Sequence, residues 1–403
     1  MFAAPFVAQL GRGHVDGVYS LAQDAESLER FASGSGDGVV KVWDLGSREE
    51  VWQSKAHAGI VRGLCWTGGQ RLLSCGSDRR VQLYDPYSTL GDDVETSGGG
   101  KKAVATWLGE NAFTSISLHR TEPAFAVASS KISLYDLNRP ASTPTQTLAW
   151  PTSIDTITAL KFNKTETSIL ASTATDRSLV LYDLRTNSPL HRSVLTLASN
   201  AIAWNPMEAF NLALANEDHN IYIFDMRNLR RALNVLKDHV SAVMDVDFSP
   251  TGEELVSASY DRSIRLWKRN EGHSRDIYHT KRMQRVFATK YTPDSSYVIS
   301  GSDDGNVRLW RANASARAGV KTARQRTKME YDAALRERYK HMPEVRRIAR
   351  HRHVPRQVKK AGEIKGVELG ALKRREENER KNSKGKGKAR RSEREKMVLA
   401  TEQ

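Results

Sequence analysis

The chain has 403 residues, 39 % apolar and 27 % charged, with 62 Lys/Arg against 47 Asp/Glu and a net charge of +15. The excess is confined to one end: residues 312–403 hold 28 Lys/Arg and 12 Asp/Glu, a net of +16, which leaves residues 1–311 at −1. No apolar run is long enough to span a bilayer, residues 1–10 lack the basic start of a secretory signal, and two cysteines, Cys65 and Cys75, cannot make a disulfide framework, so a reducing compartment is expected.

From the N-terminus, residues 5–10 form a short apolar stretch just ahead of Gly13-His14. A repeated unit follows: small residues, an Asp, then six positions later an aromatic in a β-branched run. The copies are SGSGDGVVKVWD (Asp37, Trp43), SCGSDRRVQLYD (Asp78, Tyr84), STATDRSLVLYD (Asp176, Tyr182), LANEDHNIYIFD (Asp218, Phe224), SASYDRSIRLW (Asp261, Trp267) and SGSDDGNVRLW (Asp304, Trp310). A degenerate copy, VASSKISLYD, has Ser129 where the Asp should precede Tyr135. Successive aromatics are 41, 51, 47, 42, 43 and 43 residues apart. The alternation of Val40 and Val42 marks a half-buried strand, and Asp37-Gly38 and Asp304-Gly305 mark tight turns. This period, with Gly-His near the start of a unit and Trp-Asp at its end, is the signature of a four-stranded WD40 blade. An all-β, seven-bladed WD40 propeller over residues 1–311 is therefore predicted. Its last blade stops after the Trp310 strand, so Phe6-Val7-Ala8 are predicted to supply the outer strand and remove an open edge.

His14, Ser33, Asp37 and Trp43 contain the ingredients of a catalytic triad. The same set recurs as His239, Ser257, Asp261 and Trp267, and an enzyme has no use for its nucleophile in several copies. These groups are read as buried hydrogen-bonded tetrads that tie strands together, each bond contributing about 0.5–1.5 kcal/mol. His57, in AHAGIV, and His239, in DHVSAV, are weaker matches to the Gly-His signature than His14. Gly98-Gly99-Gly100-Lys101-Lys102 lacks the spacing of a phosphate-binding loop and reads as a flexible insertion. HExxH is absent, and His351 and His353 have cationic neighbours instead of further ligands. No catalytic residue, metal or cofactor is expected.

Beyond Trp310 strands give way to helix. Residues 328–342 (KMEYDAALRERYKHM) place Tyr331, Leu335 and Tyr339 on one face, predicted to dock, with Arg336, Arg338 and Lys340 opposite and Pro343 as the stop. PEVRRIARHRHVPRQVKK comes next, with Arg346, Arg347, Arg350, Arg352 and Arg356 within eleven residues. A further helix over 356–382 is supported by the i, i+4 pairs Glu376/Arg380 and Glu377/Lys381. The basic helical domain is thus placed at 312–382, and 383–403 is expected to be a disordered basic tail, with 384–391 (KGKGKARR) serving as a nuclear import signal. So much self-repulsion calls for a polyanion. Arginine forks bind phosphate bidentately, and His351, His353 and Tyr339 offer rings for stacking on single-stranded RNA. Arg346, Arg347, Arg350, His351, Arg352, His353 and Arg356 are the candidate RNA-binding residues.

A WD40 propeller followed by EYDAALRERYKHMPEVRRIARHRHVP resembles the Sof-domain WD40 family, nucleolar proteins of the small-subunit processome. The resemblance runs to about Arg394, and RYKHMPEVRRIARHRH is its specific part. It implies a non-enzymatic role in processing pre-rRNA toward 18S rRNA, with pre-rRNA, the small nucleolar ribonucleoprotein and other processome proteins as partners, in the nucleus and nucleolus and away from membranes. Members of that family usually carry a longer segment ahead of the first blade, and KGKGKARRSEREKMVLATEQ departs from their pattern. A second resemblance concerns Tyr182-Asp183-Leu184-Arg185 and Phe224-Asp225-Met226-Arg227, which are similar to the box by which WD40 substrate receptors dock on the adaptor of cullin-4 ubiquitin ligases. Asp183, Arg185, Asp225 and Arg227 are the candidate docking residues of that alternative, beside a local role in capping the blade ends.

Overall fold

A computed structural model of the chain describes residues 4–87, 103–139, 143–151, 155–314, 320–351, 354–382 and 391–402. Seven antiparallel sheets succeed one another around a ring, their own strands lying within 18–55, 61–108, 115–148, 157–195, 199–236, 243–278 and 286–311, numbered here as blades 1 to 7. Blade 7 contributes only three strands of its own. Its fourth is Phe6–Gln9, antiparallel to Val307–Arg311 with Phe6 opposite Trp310 and Gln9 opposite Arg308. The first and last segments of the propeller thus share one sheet, and the ring is closed by backbone hydrogen bonds.

Six of the seven blades carry a register shift near the start of the innermost strand, at Val18/Ser20, Val61/Gly63, Ile157/Ala159, Ser199/Ala201, Val243/Asp245 and Val286/Ala288. A bulge there adds local twist, and its recurrence at one place bends those inner strands alike. Blade 3, whose repeat is degenerate, has a straight inner pair. Burial is organised between blades: each apolar cluster joins side chains of two neighbours. Trp43 of blade 1 lies with Leu10, Ile299, Val307 and Leu309 of the closing blade, and Trp310 lies with Val256, Leu266 and Tyr278 of blade 6. Such a ring has nearest-neighbour cores instead of one centre, as stacked repeats do.

Among the described residues the extension carries four helices: α1 (Ala323–Arg338), α2 (Pro343–Arg350), α3 (Arg356–Asn382) and α4 (Glu393–Lys396). α1 opens on a capping box, Thr322 with Gln325. The expected docking of the Tyr331/Leu335/Tyr339 face does not occur: α1 buries none of its residues, and Tyr331 is 65 % exposed. Helical periodicity detects an apolar stripe but not what covers it. Pro343 also does more than stop α1, because it is the first residue of α2, where its missing N–H has no cost.

The C-terminus departs from expectation as well. Residues 383–390, most of the import-signal stretch, lie outside the described residues, but 391–402 do not form a disordered tail. Val398–Glu402 is a strand, antiparallel to the outer strand Ser188–Leu195 of blade 4, with Leu195 opposite Val398 and Arg192 opposite Glu402. Met397 and Val398 enter the cluster between blades 4 and 5 with Leu195, Leu229 and Ala232. MVLAT is a short β-prone run, and the basic composition around it masks that signal. Among the described residues no helix is long and apolar enough to cross a membrane.

Candidate nucleic-acid interface

The basic segment begins on α2. Arg346 and Arg347 are exposed on that short helix, and Arg356 is exposed at the start of α3. None of the three forms an ion pair among the described residues, so their guanidinium groups remain available to an outside anion. His351 comes directly after α2 and is exposed. Arg352 and His353 lie outside the described residues, as does the side chain of Arg350, and so does the glycine-rich stretch Gly98–Lys102. The structure therefore brings Arg346, Arg347, His351 and Arg356 onto one short stretch beside the propeller.

What holds that stretch in place is α3. Its first turns lie against the segment leading into blade 6: Val358 is buried, Gly362 approaches Val240, and Lys365 Nζ donates to the carbonyl of His239 at 2.7 Å. Farther along, Glu376 pairs with Lys396 at 2.6 Å and Glu377 with Lys381 at 3.8 Å. The chain then returns along blade 5, where Lys237 pairs with Glu393 and the Ala232 amide donates to the carbonyl of Arg394 at 2.9 Å. The Thr196 amide donates to Met397 O at 2.9 Å and leads into the added strand. From α3 onward the extension is thus fastened at both ends to blades 4 to 6.

The tetrads lie inside the blades. In blade 6, His239 Nδ1 is 2.8 Å from Asp261, its Nε2 is 2.7 Å from Ser257 Oγ, and Trp267 Nε1 donates to that same oxygen at 2.7 Å. A neutral ring protonated on Nδ1 satisfies the whole chain of bonds. Burial lowers the pKa of His239, against the pull of Asp261. Blade 1 differs. His14 Nε2 is 2.7 Å from Ser33 Oγ and Trp43 Nε1 donates to it at 2.7 Å, but His14 Nδ1 has no partner among the described residues. Asp37 instead accepts the Val39 amide at 2.8 Å. Three of the four expected members are joined there, and Asp37 is not. Blade 2, whose AHAGIV is a weaker match to the signature, has His57 bonded to both Asp78 (2.8 Å) and Ser74 (2.9 Å), with Tyr84 in the Trp position. The Gly-His dipeptide is a poor guide, because the residue before His does not determine where its ring goes.

Blade 4 has a side-chain tie to the added strand that the sequence does not signal. Arg192 pairs with Asp176 and with Glu402 of the added strand, both at 3.0 Å. At the opposite ends of the third strands of blades 4 and 5, Arg185 lies 3.2 Å from Asp183, and Arg227 lies 2.7 Å from Asp225 and 4.1 Å over the Phe210 ring. Hydrogen bonds from these arginines hold both carboxyls below the usual carboxylate range. The two arginine side chains are nevertheless 75 % and 63 % exposed. They are oriented by their own aspartates and turned to solvent.

The family model described as Sof1-like domain matches residues 312–398, and the model described as WD domain, G-beta repeat, matches 6–44, 48–85, 230–268 and 271–311. The chain is 54 % identical over 418 residues to "Protein SOF1" of Saccharomyces cerevisiae, covering 100 % of this chain and 84 % of that protein. It is 53 % identical to "Protein sof1" of Schizosaccharomyces pombe, covering 99 % and 88 %. Similarity at 42 % extends to "DDB1- and CUL4-associated factor 13" of Xenopus laevis, covering 99 % and 88 %.

Proposed function

This chain belongs to the WD40-repeat family that carries a Sof1-like domain, and on that premise we propose that it is a non-enzymatic scaffold in ribosome biogenesis whose basic extension binds pre-rRNA. In this reading it is a component of the small-subunit processome, beside the small nucleolar ribonucleoprotein, in the nucleolus. The observation that carries the proposal is the charge partition, −1 on the propeller and +16 beyond it, together with exposed Arg346, Arg347 and Arg356, none of them ion-paired among the described residues, on a segment anchored to the ring. A neutral disc offers shape to neighbouring proteins, and a fixed cationic segment offers attraction to a polyanion. Replacing Arg346, Arg347, Arg350 and Arg352 by Glu is expected to release the protein from early pre-ribosomes and to leave 18S precursors unprocessed. Normal co-sedimentation of that variant would defeat the assignment.

A second reading rests on Arg185 and Arg227, exposed and pre-oriented at the ends of blades 4 and 5, and on the relatives named for association with DDB1 and CUL4. The arginines would dock the chain on such an adaptor. Arg185→Glu with Arg227→Glu should abolish adaptor pulldown and leave pre-rRNA processing intact.

A further inference from the structure

Between the start of α3 and the outer half of blade 6 the surface opens into a groove of about 880 Å³. Arg265, from the third strand of that blade, lines it with a side chain only 9 % exposed. Its Nη1 donates to Ser274 Oγ at 3.0 Å and stands 3.7 Å from Asp238, while Nε is buried without a hydrogen-bond partner among the described residues. Asp238 is already occupied. It accepts the Ser274 amide at 2.6 Å, the Ser274 hydroxyl at 2.7 Å and His273 Nδ1 at 2.9 Å. The carboxylate thus serves to orient its neighbours and leaves little acceptor capacity for a donor ligand. Lys359 and His351 line the groove with Arg265, and His273 is 85 % exposed at its edge.

Val354 and Val358 supply an apolar part of the lining. Cations beside aliphatic carbon match a nucleotide, whose phosphate seeks the guanidinium and ammonium while its base lies on the apolar wall. His351 directly succeeds α2, the helix bearing Arg346 and Arg347. We propose that this groove is a single-stranded RNA site, so that an RNA segment held by Arg346 and Arg347 continues between α3 and blade 6, with Arg265 and Lys359 on its phosphodiester. The inference rests on the reading that the extension binds RNA, and it adds that the propeller itself supplies half of the site.

The test uses the full chain and a fluorescent oligouridylate, titrated at several salt concentrations. Lys359→Glu and His273→Ala alter exposed side chains outside the core, and each is paired with a thermal melt to confirm folding. Together they are expected to weaken binding about tenfold and to flatten the salt dependence by about one unit for each phosphate no longer neutralised. With 4-thiouridine in the probe, crosslinks are expected on residues 351–359 and on 265–274. Wild-type affinity and slope in the groove variants, with binding lost in Arg346→Glu/Arg347→Glu, would overturn the groove while leaving the basic segment as the RNA site. Absence of salt-dependent binding by the wild-type chain would overturn both. Inorganic polyphosphate competing as well as the oligouridylate would overturn the base-contacting wall, and with it the assignment to RNA.

Discussion

At the scale of single residues, the repeated Asp does one thing in nearly every blade, and it is not to hold a histidine. Asp37, Asp78, Asp176, Asp218 and Asp261 each accept the amide two residues on, at 2.8, 3.2, 2.9, 3.0 and 3.0 Å. That side-chain bond shapes the turn. It lets Arg79, Arg177, His219 and Arg262 sit at positive φ where Gly38 stands in blade 1. The histidine that bridges this Asp to a Ser is an addition found in blades 2 and 6, whereas His14 of blade 1 reaches only its Ser. A pH dependence arises from His14, whose pKa burial lowers from 6.5 to about 4 against the pull of Asp37. The unfolded chain then binds the proton more readily than the folded one, so stability is whole above about pH 6.5 and declines as pH falls toward 4. The shift corresponds to about 3 kcal/mol at most. His14→Gln should melt with a shallower pH profile over that interval than the wild-type chain, and superimposable profiles would contradict the assignment.

At the scale of elements, the informative pieces are the two short strands at the ends of the chain. Phe6–Gln9 closes the ring, and its neighbour Leu10 is fully buried in one cluster with Trp43 and Val307. Val398–Glu402 does not close anything; it lengthens blade 4 from four strands to five and ties the helical extension back to the propeller. Met397 carries that tie, being 3 % exposed in the core between blades 4 and 5. Met397→Ala should cost about 2–5 kcal/mol if the site cannot collapse. The loss should show as faster hydrogen exchange in Ser188–Leu195, the strand the C-terminus covers, with the outer strand of blade 1 unchanged as the internal control. Uniform acceleration in both would mean that the strand supports the ring as a whole. α1 is the contrasting case. Its capping box and helix-favouring composition form a helix whose apolar face stays uncovered among the described residues.

At the scale of the whole molecule, charge and shape are separated. The ring has cores between its blades and a near-balanced charge, whereas the extension gathers the net positive charge. If that extension neutralises about 6–10 phosphates, affinity for RNA should fall about 10³–10⁵-fold between 50 and 200 mM salt. Titration of the full chain against single-stranded RNA across that range checks it; a flat response would remove polyanion binding as the purpose of the charge. Arg185→Glu/Arg227→Glu, away from the extension, should leave the salt response unchanged.

The sequence by itself determined the repeat, its seven-fold count and the N-terminal closure, because period-2 strands and Asp-centred turns are local and recur often enough to be unmistakable. It also determined the polarity of the molecule, since charge is additive along a chain. Only the tertiary structure decided which histidines find an aspartate, because that depends on where two loops meet and not on the dipeptide that carries the ring. It alone placed the C-terminal strand on blade 4 and set Arg265 and Lys359 in one groove. Those partners are about a hundred or more residues apart, and nothing local in either segment names the other.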